Sequence, residues 1–212
     1  MSNAELKERV RAFWQAHPCG TKFADAEPGT RRFYELVEEH RYEKEWHIPL
    51  AADFSSARGL KVLEIGCGLG TDGVQFARAG ADYTGVDLTE AAVELTRKNF
   101  ELFNLPGTFR TADAENLDLN DNSFDLVYSH GVLHHTPDTA RAVREIHRVL
   151  RPGGRFTYTT WHGPSSGGTL IGLMLKTFQR LANMDVGLPP APPIFQFAEA
   201  ETRDRVSVAS DL

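Results

Sequence analysis

The sequence predicts an α/β fold built on a doubly wound, mostly parallel sheet, and three observations carry that prediction. Short apolar runs alternate with helical patterns from residue 60 to residue 161, the signature of repeated βαβ units. The first run, Val62-Leu63-Glu64-Ile65, passes directly into Gly66-Cys67-Gly68-Leu69-Gly70 and a helical pattern, which reads as strand, tight turn and helix start. The second run ends on Asp87, and Asp113 follows the third. Open α/β sheets bind ligands beyond the carboxyl ends of their strands, so glycines and acids at those places mark a site.

Element by element, residues 60–65, 82–87, 108–111, 124–129 and 155–161 read as strands, and 71–79, 89–103 and 137–150 as the helices between them. In the last helix Ala140, Val143, Ile146, His147 and Leu150 recur every three or four residues, with Thr136-Pro137 as its start and Pro152-Gly153-Gly154 as its stop. Ahead of the sheet, residues 1–58 read as a helical lid with helices at 4–15 and 30–46, joined by a loop rich in Pro and Gly. Phe33, Leu36, Val37 and His40 give the second helix one face to bury. Residues 59–161 form the ligand-binding domain. Residues 162–212 read as a helical extension: an all-round apolar stretch at 169–181, a stiff Pro-rich connector at 188–193 and a charged helical stretch at 198–212.

Composition narrows the function classes. A chain of 212 residues buries about 70% of its unfolded surface, enough for a core without staples. Hydrophobic, charged and aromatic contents of 41%, 25% and 10% are ordinary globular values and argue against a disordered, collagen-like or coiled-coil chain. The net charge of −6 repels phosphate backbones, so no nucleic-acid partner is expected. Cys19 and Cys67 make no disulfide framework and no metal cluster, and no metal site is expected. The charged start lacks a signal-peptide core, and no apolar run reaches the ~18 residues of a membrane span. A cytoplasmic location is the expectation.

The glycine turn is the centre of the site. Its spacing is G-x-G-x-G, whereas dinucleotide sites use G-x-G-x-x-G, and position 71 is Thr. Glu64 stands two residues before Gly66. A carboxylate there repels pyrophosphate and suits an ammonium or a hydroxyl. Asp87 can accept from both hydroxyls of a ribose, and Asp113, or the Ala114 N–H, can meet an adenine edge. Taken singly, each also reads as a turn or a cap; together, at this spacing, they read as one site.

On these residues, with Phe124-Asp125-Leu126-Val127-Tyr128-Ser129 and Arg148-Val149-Leu150-Arg151-Pro152-Gly153-Gly154, the chain resembles class I S-adenosylmethionine-dependent methyltransferases. It is most similar to the small-molecule type 11 group, which includes ubiquinone and menaquinone biosynthesis methyltransferases. The resemblance covers about residues 40–161 and implies a Rossmann-like sheet with S-adenosylmethionine as cofactor and S-adenosylhomocysteine as product. It implies that Glu64, Gly66 and Gly68, with Cys67 and Gly70 in the same turn, surround the methionine part. By the same match Asp87, with Leu88 beside it, holds the ribose, Asp113 and Ala114 meet the adenine, and Ser129 and His130 lie beneath the methionine part. The family usually adds a sixth strand and an antiparallel seventh. The chain ends at Leu212, where the helix before strand six is expected, so those two strands are expected to be absent from it.

The expected function is methyl transfer to an O, C or N atom of a small, apolar or aromatic metabolite by in-line displacement, in a monomer or homodimer. Positioning supplies much of such a rate, and a base is needed only where the acceptor loses a proton. His130, His134 and His135 are the candidate bases; each reads equally as a turn cap near the cofactor. His162 is a candidate substrate contact. Tyr42 or Trp46 in the second helix can close over the sulfonium through a cation–π contact, or simply pack. Two other readings remain open: a protein that binds S-adenosylmethionine or S-adenosylhomocysteine without catalysis, and a nicotinamide-dependent oxidoreductase, against which the glycine spacing and Glu64 argue.

Overall fold

Four of the five residues of β1 (Lys61–Ile65) are buried, as a strand covered by helices on both faces requires. In this computed structural model, which describes residues 2–161 and 205–207, β1 is joined by β2 (Asp82–Asp87), β3 (Thr108–Thr111), β4 (Phe124–His130), β5 (Leu150–Trp161) and β6 (Arg205–Ser207). The sheet order is β3-β2-β1-β4-β5-β6. The first five strands pair in parallel and β6 lies antiparallel on β5. The helices are α1 (Asn3–Ala16), α2 (Arg31–Lys44), α3 (Ile48–Ala52), α4 (Thr71–Arg78), α5 (Glu90–Leu102) and α6 (Thr139–Val149). No described helix is long and apolar enough to cross a membrane.

Strand alternation sorts the core into two layers. Leu63 and Ile65 join Val127, Val143 and Ile146 on one face. Val62 joins Phe76, Tyr83, Leu126 and Tyr128 on the other. Because β2 and β3 lie on one side of β1 while β4 and β5 lie on the other, the strand order reverses between β1 and β4, and a crevice opens at their carboxyl ends.

The structure departs from the sequence reading at four places. β5 starts at Leu150, directly after α6, and runs through Pro152-Gly153-Gly154; the pairing with β4 shifts register between Phe124 and Leu126. That irregularity accommodates the proline and Gly153, whose φ is +79°. Helix α6 begins at Thr139 rather than 137, because the Asp138 side chain accepts from the Arg141 N–H and caps it. Helix α3, short and carrying Pro49 in its first turn, has no period long enough to read. Within 198–212, where the pattern predicts a helix and no further strand, Arg205–Ser207 pairs with Thr159–Trp161. Alternation of Arg205 and Ser207 with Val206 suits a strand, and β5 offers an open edge. His162, the apolar stretch 169–181 and the connector 188–193 lie outside the described residues.

The N-terminal helices are attached by polar contacts as much as by packing. Helix α2 buries Phe33, Tyr34 and Val37 against Leu69. One turn later Arg41 donates to both oxygens of Asp72 at 3.0 and 2.6 Å. The Tyr42 and Tyr128 hydroxyls donate to the same carboxylate, each at 2.9 Å. Asp72 sits in the first turn of α4, where the free N–H groups also favour a negative charge. Its side chain is 1% exposed. Burial opposes its charge, yet Arg41 outweighs burial and holds the carboxyl below the usual aspartate range.

Arg41→Ala leaves the Asp72 carboxylate buried without its cation, so it is expected to cost about 3–5 kcal/mol in urea unfolding, whereas Asp72→Ala leaves Arg41 with Glu45 at 3.5 Å. The Arg41→Ala/Asp72→Ala double variant should lose less than the sum of the two singles. Since the folded-state pKa of Asp72 is depressed, its contribution is complete above the unfolded value of about 3.9 and disappears as pH falls through the lower folded value. Acid unfolding below about pH 4 should therefore be less steep in Asp72→Ala than in the parent chain.

Candidate active site

A cavity of about 590 Å³ fills the crevice and extends beneath α1 and α2. Glu64 and Ile65 of β1, the turn 66–69, Asp87 at the end of β2 with Leu88 after it, Ala112 to Glu115 after β3, and His130 at the end of β4 with Gly131, Val132 and His135 after it form its sheet side. Lys7, Val10, Trp14, Phe23, His40, Arg41 and Glu45 form part of its lid side.

The turn is pinned before any ligand is considered. The Gly66 and Cys67 N–H groups both donate to Val86 O, at 2.8 and 3.1 Å, which fastens the turn to β2. Gly66 has φ +79°, and a Cβ there would strike the Val132 side chain. Gly68, at φ +55°, is different: its nearest neighbour to a built Cβ is Gly66 O at 4.0 Å, so its backbone faces open cavity and anything approaching there can come close.

The carboxylates are arranged along successive strand ends. Asp87 Oδ1 accepts from the Thr89 N–H and hydroxyl, and Oδ2 from the Gly68 N–H at 3.2 Å, so its orientation is fixed. Glu64 is 3% exposed and accepts from the Tyr83 hydroxyl. Burial, with the nearby Asp72 charge adding to it, pushes its carboxyl well above the usual range. A cation placed beside Glu64 would draw it back to the ionised form. Asp113 Oδ1 accepts from the Glu115 N–H, and Lys7 Nζ donates to Asp113 Oδ2 at 2.6 Å and Glu115 Oε2 at 2.7 Å.

The histidines separate into different environments. His130 ends β4 with Nδ1 on the Thr159 hydroxyl and Nε2 at 3.6 Å from Glu45 Oε1. Burial opposes the charge of Glu45, while His130 and Arg41 outweigh it and lower its pKa. His135 is on the cavity wall in an edge-on contact with Trp14, ring centroids 5.6 Å apart, and burial lowers its pKa. His134 lies tilted against His135, ring centroids 4.0 Å apart, and burial, aided by the neighbouring imidazoles, lowers its pKa to about 4. It does not line the cavity, and its Nδ1 has no hydrogen-bond partner among the described residues.

Of the residues singled out from sequence, Glu64, Gly66, Cys67, Gly68, Asp87, Leu88, Asp113, Ala114, His130 and His135 line one cavity. Three cofactor candidates stand behind it. Gly70 has φ +73°, and a Cβ there would press on Thr96, so it serves the approach of α4 to α5. The fully buried Ser129 hydroxyl donates to Ile65 O at 3.1 Å and ties β4 to β1. The Tyr42 hydroxyl is taken by Asp72, which holds the ring away from the role of a sulfonium cover. Trp46 is 62% exposed. The Cys67 thiol is buried, and burial raises its pKa well above the usual value, which suits a filler and not a nucleophile.

Five contributors escaped the sequence reading: Lys7, Arg41, Glu45, Asp72 and Thr159. The spacing Lys7, Val10, Trp14 was a visible signal, since i, i+3 and i+7 share one helical face. The others act through contacts 29 or more residues away in sequence, which no local pattern reports.

Comparison with known proteins agrees with this fold. Residues 63–158 match the family described as a methyltransferase domain. A phthiotriol/phenolphthiotriol dimycocerosates methyltransferase of Mycobacterium tuberculosis is 42% identical over 102 residues, 47% of this chain and 37% of that protein. A ubiquinone biosynthesis O-methyltransferase of Alkalilimnicola ehrlichii is 32% identical over 118 residues, covering 53% of this chain and 48% of that one. The chain thus spans less than half the length of these curated relatives. Among solved structures, the YcgJ protein of Bacillus subtilis superposes with a TM-score of 0.52 at 32% identity, covering 56% of this chain and 53% of that one. With the glycine turn, the strand-end acids and the sheet order already in place, residues 63–158 match a methyltransferase domain of the type 11 group, on a Rossmann-like sheet similar to that of class I S-adenosylmethionine-dependent methyltransferases.

Proposed function

We propose that the chain transfers a methyl group from S-adenosylmethionine to an O, C or N atom of a small, apolar or aromatic metabolite, releasing S-adenosylhomocysteine. The observation that carries this reading is the row Glu64, Asp87 and Asp113, set on three successive strand ends along one cavity behind the open backbone of Gly68. Among the described residues, the sheet side of that cavity contributes carboxylates and no Lys or Arg; the basic residues lining it, Lys7, Arg41 and Lys44, come from the lid. A pyrophosphate has no counter-charge from the sheet, whereas an ammonium, a ribose and an adenine amine find acceptors. The residues therefore fit S-adenosylmethionine and argue against a nicotinamide dinucleotide.

Bound there, the cofactor supplies an electrophilic methyl carbon on a sulfonium. The chain's own part is to bind, orient and accept a proton. Glu64 offers its carboxyl to the ammonium, Asp87 to the ribose hydroxyls, and Asp113 with the Ala114 N–H to the adenine edge. Beyond them Val10, Trp14 and Phe23 make an apolar wall, which suits acceptors of the kind named for the relatives, a long-chain dimycocerosate or a quinone precursor. For an acceptor that loses a proton, His130 Nε2 is the group to take it: Thr159 fixes the ring through Nδ1, and Glu45 Oε1 lies 3.6 Å from Nε2.

Calorimetry with S-adenosylmethionine and S-adenosylhomocysteine tests the assignment. Micromolar binding is expected, weakened more than about tenfold, or ~1.4 kcal/mol, in Asp87→Ala; normal affinity in that folded variant rules the site out. Glu64→Gln separates stability from binding. Because the folded-state pKa of Glu64 is raised, the parent chain loses stability as pH rises above about 4.3, and the amide imitates the protonated acid without that loss. Its melting midpoint at pH 8 should equal the parent's or exceed it by about 2–4 °C, while its affinity for S-adenosylmethionine falls. A lower midpoint with unchanged affinity would contradict both roles of Glu64.

A further inference from the structure

Helix α1 has no buried residue, yet it closes one side of the cavity through Lys7, Val10 and Trp14. At its C-terminal end the hold is light: Trp14 meets the edge of His135, and Gln15 Oε1 accepts from the Ala91 N–H at 3.3 Å. At its N-terminal end the hold is a double ion pair. Asp113 Oδ1 is committed to the Glu115 N–H and Glu115 Oε1 to the Asp138 N–H. Each carboxylate therefore presents one further oxygen, and Lys7 Nζ takes both, at 2.6 and 2.7 Å.

We propose that Lys7 is a positioning residue of the cofactor site: it occupies the Asp113 oxygen that the adenine amino group needs, yields it on binding, and stays on Glu115 to hold α1 over the bound nucleoside. This rests on the reading of Asp113 as the adenine partner. Both groups are N–H donors, so they compete for one acceptor. The exchange goes one way only at Asp113, whose side chain is 30% exposed; the Glu115 side chain, at 5%, is too buried to be left without a cation. The exchange makes and breaks hydrogen bonds only. It differs from a merely structural ion pair because it slows the cofactor in both directions. Lys7 must leave Asp113 before adenine seats, and α1 must lift before adenine leaves.

Stopped-flow binding of S-adenosylhomocysteine to the full chain and to Lys7→Met and Lys7→Arg tests this. In Lys7→Met both association and dissociation should quicken about fivefold, the size of a partly buried ion pair, so that affinity changes little. Lys7→Arg should keep rates near those of the parent chain. Added salt should speed association in the parent, because it screens the ammonium at Asp113, and leave Lys7→Met unaffected. Equal rates in the parent and Lys7→Met would overturn the proposal, as would faster dissociation with unchanged association, which describes a strap without competition. A folded parent chain that binds no S-adenosylhomocysteine at all would overturn the cofactor reading itself, and this inference with it; that result appears before any variant is compared.

Discussion

The Asp72 carboxylate is the point on which the site's geometry depends. It stands at the start of α4, immediately after the glycine turn, and accepts from Arg41 and Tyr42 of α2 and from Tyr128 of β4. One acid thus joins three elements, adding to the Phe76–Tyr128 packing of α4 on β4 and the Glu38–Arg78 pair between α2 and α4. The two charges lose hydration when buried, and their attraction offsets that loss only because each oxygen is also hydrogen-bonded. With Arg41 fixed, Glu45 one turn later is held within 3.6 Å of His130, and the cavity acquires its lid side.

The same low-polarity surroundings explain how one wall can carry several acids. Glu64 and Asp72 lie close enough for each to oppose the other's charge, and the conflict is resolved by giving Arg41 to Asp72 and only the Tyr83 hydroxyl to Glu64. Asp72 keeps its charge and does structural work. Glu64 is left short of positive charge beside the glycine turn, so a ligand ammonium placed there would relieve a cost that folding has already incurred. Asp87, held by the Thr89 and Gly68 N–H groups, is oriented in advance.

Much of this was legible in the sequence, for a physical reason. β1 and β4, buried almost throughout, leave strong apolar runs, and β1 to β4 all start and stop within about a residue of where the pattern puts them; the topology then gathers the ends of these parallel strands along one crevice. What the sequence hides is direction and distance. Ser129 and Gly70 sit in the right segments, but the pleat and the αL turn point them at Ile65 and Thr96. Tyr42 is aromatic, on the lid and near the site, yet its hydroxyl is claimed by a buried carboxylate, which an aromatic pattern cannot show. The strand at Arg205–Ser207 follows from an open edge on β5, a tertiary fact that overrides the helical composition around it.

The central claim is that a glycine turn, three strand-end acids and a helical lid form one cofactor site. Amide hydrogen exchange with and without S-adenosylhomocysteine tests it most directly, because it reports every segment at once. Slowed exchange at residues 66–69, 87–89 and 113–116 together with α1 is the result this structure requires. Unchanged exchange at those segments, with slowing confined to another part of the chain, would contradict it.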